Sequence, residues 1–255
     1  SISIQGISGQ NVKILIDDVP VIGRLNGNID LSQINLNDID RIEIIEGPLS
    51  TIYGTDALAG TINIITKKKL DYQRTLNTYY ESIGKYNLSL MLGKEYKRHT
   101  IKYQFGRNYF NGWSEGQDFS FIPESMPADI NRYKQWKPKE QLLHKLSYNI
   151  NKENYIINNH IESFYEKITN KGMPNLPYLE NAFDEYYYTY RTNTSSNIKI
   201  KIKNNDLKIL LAYNTYHRIK ETLYTDLTTL STTLVQNQTA QDTSSFGLVM
   251  IKTIL

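Results

Sequence analysis

The sequence predicts a mainly β protein, in which a small α+β domain precedes a long antiparallel sheet. Up to about residue 69, turns rich in Gly, Asn, Asp and Pro separate short apolar runs. From about residue 71, apolar and polar residues alternate with period two over strand-length segments. The connections between these segments alternate between short and long. We therefore divide the chain into a first domain at residues 1–69 and a second at residues 70–255.

Composition narrows the classes of function. The chain has 20 Tyr against 7 Phe and 2 Trp, and the amphipathic tyrosine ring suits half-buried strands, membrane interfaces and binding faces alike. The net charge of +3 comes without a basic stripe, so a dedicated nucleic-acid binder is disfavoured. The absence of cysteine excludes disulfides, thiolate zinc sites and thiol catalysis.

The first domain contains three strand-like runs, "VKILIDD", "RIEIIEG" and "GTINIITK". Between the first two, the segment "DLSQINLNDIDR" predicts a short helix capped by Asp30 or Ser32, with one side formed by Ile34, Leu36 and Ile39. A second short helix or turn is predicted at "LSTIYGTDALAG", ended by Gly60. The apolar runs predict strands that are buried on both faces.

The sequence of the second domain predicts an up-and-down barrel. Tight polar turns such as "KEYKRH", "NKEN" and "KNND" alternate with long segments, of which the longest is 112–140. Long strands with aromatic ends favour a transmembrane barrel, with the short turns on the periplasmic side and the long loops outside. The alternative is a soluble β-rich binding or adhesion module. About eight strands are predicted, whereas a plugged lumen needs roughly 22. Because the sequence starts and stops in mid-pattern, we expect a fragment, with a truncated barrel.

The first 69 residues resemble the second half of the plug domain of TonB-dependent outer-membrane receptors. The resemblance rests on a spaced signature: Asp17, Pro20, Arg41, Ile42, Glu43, Gly47, Pro48, Ser50, Tyr53, Gly54, Ala57, Gly60, Ile62, Asn63, Ile64 and Thr66. Residues beyond 69 match that family only as a barrel pattern. Asp18 stands where the family usually has Gly, so the turn after Asp17 is expected to differ in form.

The resemblance implies a receptor in the outer membrane of a Gram-negative bacterium. Such receptors bind a scarce metal chelate, namely a ferric siderophore, haem or cobalamin, and import it by an energy-coupled rearrangement of the plug. The implied partners are outer-membrane lipid, the chelate and the TonB–ExbB–ExbD complex, which acts through a TonB box that we expect upstream of these residues. The stretch "NGNIDLSQ" resembles cobalamin receptors in particular. No tightly bound cofactor is expected.

Candidate site residues follow from the resemblance and from the pattern. Plug loops and a long outer loop supply the ligand-binding candidates Arg24, Leu25, Asn26, Gly27, Asn28, Ile52, Tyr53 and Trp113. Arg41 and Glu43 share one strand face and are predicted to form an ionic latch, meaning a charged contact with the barrel wall that transport would break. An exposed charge pair is the alternative. Gly47, Gly54 and Gly60 are predicted to give sharp turns or close backbone approach.

Catalysis and metal binding find little support in the sequence. The carboxylates of loop 112–140 match no calcium-loop spacing, so calcium there is a minor alternative. His99, His144, His160 and His217 fall on separate predicted strands, without a metalloprotease or nucleophile motif. We therefore predict a receptor and not an enzyme.

Overall fold

A computed structural model describes residues 3–4, 7–8, 11–23, 29–34, 38–46, 60–70, 72–115, 132–237 and 239–255. The structure is mainly β, as predicted. Two short strands pair with each other at the start of the chain, β1 (Ser3–Ile4) and β2 (Ile7–Ser8). A small four-stranded sheet then consists of β3 (Val12–Ile16), β4 (Val19–Pro20), β5 (Ile39–Glu46) and β6 (Gly60–Thr66).

The small sheet has the order β4-β3-β6-β5, and its central strands β3 and β6 run parallel. The central parallel strands are buried on both faces, as predicted for "VKILIDD" and "GTINIITK". The prediction is wrong for "RIEIIEG", because β5 is an edge strand and exposes Ile42 and Ile44. One face packs into a core formed by Val12, Ile14, Ile34, Ile62 and Ile64. Burial of each such side chain contributes about 1.5–3 kcal/mol.

The helix predicted from residue 30 onward is wrong for the part that the structure describes. A single 3-10 turn, Leu31–Gln33, occupies its start, and the Asp30 side chain accepts a hydrogen bond from the Ser32 N–H, as the predicted cap. Ile39 already belongs to β5. Ile34 and Ile39 do share one apolar environment, but they reach the core from a turn and a strand. The second predicted helix, before Gly60, lies outside the described residues.

The turn between β3 and β4 accommodates Asp18 in an unusual backbone conformation. Asp17 and Asp18 have φ values of 50° and 70°, which is the region used by two-residue hairpin turns of the mirror-image type. Aspartate tolerates this region better than most residues. Asn63 on β6 holds the turn, because its Oδ1 accepts from the Asp18 N–H at 3.1 Å and its Nδ2 donates to Asp18 Oδ1 at 2.7 Å.

The large sheet is an antiparallel meander. Eight long strands form it within the described residues, as predicted: β7 (Arg74–Glu81), β8 (Lys85–Tyr96), β9 (His99–Phe110), β10 (Lys139–Asn151), β11 (Tyr155–Lys171), β12 (Asn181–Ile202), β13 (Asn205–Asp226) and β15 (Asp242–Ile254). The short β14 (Thr232–Leu234) pairs with the last residues of β13.

Connection lengths divide the large sheet into two ends. The turns 97–98, 152–154 and 203–204 lie at one end, which we call the short-turn end. The segments 111–138, 172–180 and 227–241 lie at the other, the long-loop end, where the turn 82–84 is the one short connection among the described strands. The predicted alternation of short and long connections is therefore observed from β8 onward.

The two faces of the large sheet differ as the period of two predicted. The inner face, which contacts the small sheet, buries mainly polar side chains: Lys102, Gln104, Gln141, Lys145, Glu162, Glu166, Arg191 and Asn214. The opposite, outer face exposes Ile101, Leu146, Ile161, Leu211, Val249 and Ile251. Toward the long-loop end, tyrosines adjoin across strands in the pairs Tyr80–Tyr86, Tyr86–Tyr109 and Tyr165–Tyr190.

In the part of the chain that the structure describes, no helix has the length and apolar character needed to cross a membrane.

Between the small sheet and the large one, residues 67, 68 and 73 bond to the large sheet. The Lys67 carbonyl accepts from Lys102 Nζ at 2.8 Å, and the Lys68 carbonyl accepts from Asn149 Nδ2 at 3.1 Å. The Gly93 N–H donates to the Gln73 carbonyl at 2.7 Å. The linker is thus fixed to three strands before β7 begins.

Gly23 allows the small sheet to pack closely against the large one. It has a φ of 90°, and a Cβ at this position would overlap the ring of Tyr216, which is buried on the inner face of β13. We expect Gly23→Ala to destabilise the contact by about 2–4 kcal/mol, from overpacking and from left-handed strain. Faster amide hydrogen exchange in β3 and β6 would report this loss. Gly247→Ala is the matched control, since nothing lies near its added Cβ. Equal exchange in the two variants would contradict the assignment.

Candidate functional site

One buried carboxylate joins the two sheets. Asp38, immediately before β5, places Oδ1 2.6 Å from Lys102 Nζ and Oδ2 2.8 Å from Lys145 Nζ. All three side chains are about 5% exposed or less. A charge buried this deeply is tolerated only when it is paired. The single carboxylate therefore serves two ammonium groups of the large sheet.

The register of β9 and β10 brings the two lysines together. Lys102 lies opposite Ser147, and Lys145 lies opposite Gln104, so the lysines are diagonal neighbours on the inner face, within reach of one group between them. Without Asp38, two buried like charges would face each other with too little compensation. The sheet pairing alone thus creates a need for an anion, which the small sheet supplies.

A second polar contact lies beside the first. Gln33 donates from Nε2 to Glu166 Oε1 at 2.9 Å, and Gln141 donates to the other oxygen of Glu166 at 2.7 Å. Arg191 Nη2 donates to the Gln33 carbonyl at 2.8 Å and lies 3.7 Å from Glu162. The 3-10 turn that replaced the predicted helix is therefore held from both its backbone and its side chain.

The β3–β4 hairpin makes the third contact between the sheets. Val19 packs against Leu210 and Ala212 of β13, and the Pro20 carbonyl accepts from Asn214 Nδ2 at 3.3 Å. Pro20, one of the signature residues, thus presents a carbonyl to the large sheet. Apolar packing in this contact involves Val19, Leu210, Ala212 and Met250, and the first two contacts are made by polar groups.

Asp17 and Asn63 of the signature stabilise the small sheet itself. Asp17 accepts from the Thr66 N–H and hydroxyl at 3.1 and 2.6 Å, and lies 2.6 Å from Lys68 Nζ. Burial acts to raise the pKa of Asp17, but the charge and hydrogen bonds of Lys68 and the bonds from Thr66 outweigh it and lower that pKa below its ordinary value. Gly60 begins β6 with a φ of 144° and pairs with both neighbouring strands.

Arg41 and Glu43 share one face of β5, an edge strand whose other face, with Ile42 and Ile44, is also exposed. Arg41 bonds Glu43 at 2.8 Å and Asp40 at 2.9 Å, and its side chain is 58% exposed. The hydrogen bonds and ion pairs described for Arg41 and Glu43 are with each other and with Asp40. The structure thus shows the surface charge pair, and the latch role of Arg41 and Glu43 stays a prediction. Asp38 makes the charged contact that was expected of them.

Most of the ligand-binding candidates lie outside the described residues, namely Arg24, Leu25, Asn26, Gly27, Asn28, Ile52 and Tyr53; the same holds for Gly47, Pro48, Ser50 and Gly54 of the signature. Trp113 is described. Its backbone exchanges two hydrogen bonds with Trp136, and the two rings lie 4.8 Å apart. This pair joins the two limbs of the 111–138 loop and forms a stem at the long-loop end.

A buried ion pair anchors that loop on β12. Arg132 Nη2 lies 2.5 Å from Asp184 Oδ2, and both side chains are at most 4% exposed. The Asp184 oxygens also accept from the Thr225 hydroxyl and from the Gly172 N–H. The second limb of the loop is thereby fixed to the strands on which the long-loop end is built.

Sequence reasoning missed the residues that make the junction, chiefly Asp38, Gln33, Glu166 and Arg191. A signal was present: Lys102 and Lys145 fall on the polar side of the predicted alternation, and buried cations require an anion nearby. The pattern did not indicate which carboxylate supplies it. Within the described residues, no cluster of three or more His, Asp or Glu side chains could hold a metal ion.

Replacement of the bridging carboxylate tests the junction. We expect Asp38→Asn to weaken the association of the two sheets by about 3–5 kcal/mol, because it leaves buried lysines uncompensated. Hydrogen exchange of β5 and β6 amides in the purified protein measures the change. Asp40→Asn is the matched control, because the exposed Asp40–Arg41 pair is worth about 1 kcal/mol or less. If Asp38→Asn and Asp40→Asn show the same exchange rates, the role assigned to Asp38 is wrong.

Acid should loosen the β3–β4 turn through Asp17. Because the folded-state pKa lies below the ordinary value of 3.8, the stabilisation is complete well above that pH and is lost as the pH falls through the lowered pKa. We expect hydrogen exchange at Thr66 to show an added acid-induced opening below about pH 4. In Asp17→Asn this extra pH dependence should vanish, with lower stability at neutral pH. An unchanged acid profile in the variant would refute the linkage.

Comparison with known proteins shows similarity to one family for the first part of the chain. Residues 1–61 match the family model described as the TonB-dependent Receptor Plug Domain. The vitamin B12 transporter BtuB of Vibrio cholerae is 37% identical over 75 residues, which is 29% of this chain and 12% of the relative. The curated relatives are thus matched over a small part of their length.

Solved structures of low sequence identity also align. The siderophore receptor PirA of Acinetobacter baumannii aligns over 98% of this chain and 47% of its own, with 14% identity and a TM-score of 0.48. The ferric enterobactin receptor PfeA of Pseudomonas aeruginosa aligns over 85% and 42%, with 14% identity and a TM-score of 0.44. Through the plug match of residues 1–61 and the curated relatives, the chain is similar to the TonB-dependent receptors.

Proposed function

We propose that the protein is an outer-membrane receptor that binds a scarce metal chelate and imports it by an energy-coupled shift of its plug. In this proposal the small sheet is part of the plug, and the large sheet is part of the barrel wall that surrounds it. The chelate is a ferric siderophore, cobalamin or haem. Energy comes from the TonB–ExbB–ExbD complex through a TonB box that precedes the plug strands in the full-length receptor.

The polar junction of plug and wall is the observation that carries the proposal. A plug that must move cannot be fused to its wall by a large apolar core, because its displacement would expose that core to water. The described junction instead depends on Asp38 with its two lysines, on Gln33 with Glu166, and on one carbonyl of Pro20. Water can replace each of these partners when the plug shifts.

The residues on the outer face of the large sheet support the proposed location in the outer membrane. Its exposed residues are aliphatic along the middle of β9 to β15, and tyrosines adjoin near the long-loop end. Apolar side chains facing outward suit lipid, and tyrosine suits the boundary of lipid and water. The polar inner face is the expected counterpart in a barrel that encloses a plug.

Ligand capture is assigned to the long-loop end and to the apex of the plug. Trp113 stands at the stem of the longest loop, and the remaining candidates are Arg24 to Asn28, Ile52 and Tyr53. Loops on a rigid sheet are common binding elements, and an aromatic stem offers a flat apolar surface. Cobalamin is the first ligand to test, since the curated Vibrio cholerae relatives are vitamin B12 transporters.

Growth of a strain that lacks the full-length gene tests the function. We expect the strain to lose growth on limiting cobalamin, or else on a limiting ferric siderophore, and to recover it with the wild-type gene. Trp113→Ala should weaken ligand binding at least several-fold, whereas Trp113→Phe, which keeps an aromatic ring, should retain most of it. The protein should fractionate with the outer membrane. A freely soluble, monodisperse full-length product, or normal growth of the deletion strain on every chelate, would overturn the proposal.

A further inference from the structure

The β12–β13 hairpin concentrates positive charge at the short-turn end. Between residues 199 and 208 it carries Lys199, Lys201, Lys203 and Lys208, with Asp206 as the one carboxylate. Lys201 and Lys208 are exposed, and Lys199 is half-buried beside Asp206, to which it bonds at 2.8 Å. One carboxylate therefore faces several ammonium groups.

Sheet register places like charges directly opposite each other. Lys199 pairs with Lys208, and Lys201 pairs with Asp206. A like-charge pair across two strands is destabilising, and here the shared carboxylate offsets only part of the repulsion. The turn adds a second departure from local preference, because Lys203 has a φ of 54°, where glycine or asparagine is favoured. Sites that depart from local rules in this way are often functional.

Strand alternation decides which way these lysines face. Lys199 has the same parity on β12 as the buried Arg191, and Lys208 has the same parity on β13 as the buried Leu210 and Asn214. They therefore lie on the inner face, which also contacts the plug. Ile198, Ile200 and Ile202 alternate with them and lie on the outer face. A solute inside the wall reaches the lysines more directly than lipid outside it.

The cluster begins where the plug contact ends. Val19 of the plug packs on Leu210, and Lys208 follows two residues away on the same face, at a distance of about 7 Å along the strand. From there Lys199 and Lys201 continue toward the short-turn end. A solute that left the space beside the β3–β4 hairpin would meet these ammonium groups next.

We propose that Lys199, Lys201 and Lys208 form an anion-binding site on the inner wall, for a ligand that carries several carboxylate or phosphate oxygens. Such a ligand supplies the negative charge that the hairpin lacks, through charge-assisted hydrogen bonds. The further step, that the imported chelate is itself anionic and occupies this site on its way out of the plug, rests on the proposed function.

Binding of inorganic tripolyphosphate to the full-length receptor in detergent tests the site. Isothermal titration calorimetry should give a salt-dependent affinity for the wild type, and at least about tenfold weaker binding for the K199Q/K201Q/K208Q variant. The D206N variant should bind several-fold more tightly, since it removes the competing carboxylate. These opposite changes, with unchanged thermal melting, are the expected result.

The matched control is K94Q/K97Q/K152Q, which removes the same charge from the same end of the sheet. Lys94 lies on the outer face, and Lys97 and Lys152 lie in turns. This control should bind tripolyphosphate about as tightly as the wild type. Equal losses in both triple variants would reveal only a general electrostatic field, and absent wild-type binding would remove the site; either outcome overturns the inference.

Uptake by cells separates this inference from the function on which it rests. We expect K199Q/K201Q/K208Q to keep surface binding of the chelate but to slow its uptake several-fold. Tripolyphosphate binding without any chelate uptake by the wild type would reject the proposed function and leave the site standing. Normal uptake by the variant would reject its role in transport.

Discussion

The burial of Asp38 between Lys102 and Lys145 is the constraint on which the described arrangement of the small and large sheets depends. Three charges without access to water are stable only together, so they fix where β5 begins relative to β9 and β10. The linker follows from the same point, since Lys102 also donates to the Lys67 carbonyl. The neighbouring contacts of Gln33 and Pro20 then occupy positions that this anchor has already set.

The buried Asp38 contact fixes the position of the small sheet more than it stabilises the association of the two sheets. The desolvation of buried ions offsets much of their mutual attraction, so an apolar junction of similar size would hold the plug at least as firmly. An apolar junction would also hold it in several similar positions, whereas a carboxylate between two ammonium groups has one good geometry. A polar junction is therefore specific in place and can be exchanged for water, as the proposed movement of the small sheet requires.

Much of this fold could be predicted from the sequence, because the period of two reports directly which side of a strand meets apolar surroundings. The inner position of Lys145 and the outer position of Leu146 follow from alternation alone. Local pattern failed around residue 34, where a helix was predicted with Ile34 and Ile39 on one side, but the two residues meet in the core from a turn and a strand. The turn that ends at Gln33 takes the place of the predicted helix. Glu166 and Arg191 hold Gln33, and both lie more than a hundred residues from it in sequence.

The candidate site was harder to predict for the same reason. Alternation places Arg41 and Glu43 on one face of β5, but it does not say which face meets the wall. The Asp17–Asp18 turn likewise depends on Asn63, which lies 45 residues beyond Asp18. In each case the local pattern predicted what kind of contact forms. Which residue makes that contact depends on a partner that is distant in sequence.

Lysine on the inner wall occurs in two electrostatic settings, and the difference between them connects the junction with the β12–β13 hairpin. Lys102 and Lys145 are buried, and a carboxylate of the plug lies within 3 Å of each. Lys201 and Lys208 are exposed, and Asp206 beside them already bonds Lys199. Buried charge has to be compensated by the fold itself, whereas exposed charge can be left for a mobile ion. The inner wall therefore changes from fixed to exchangeable compensation where the plug contact ends. In our proposal, a surface of that kind retains the small sheet in one place and attracts a dissolved anion in the next.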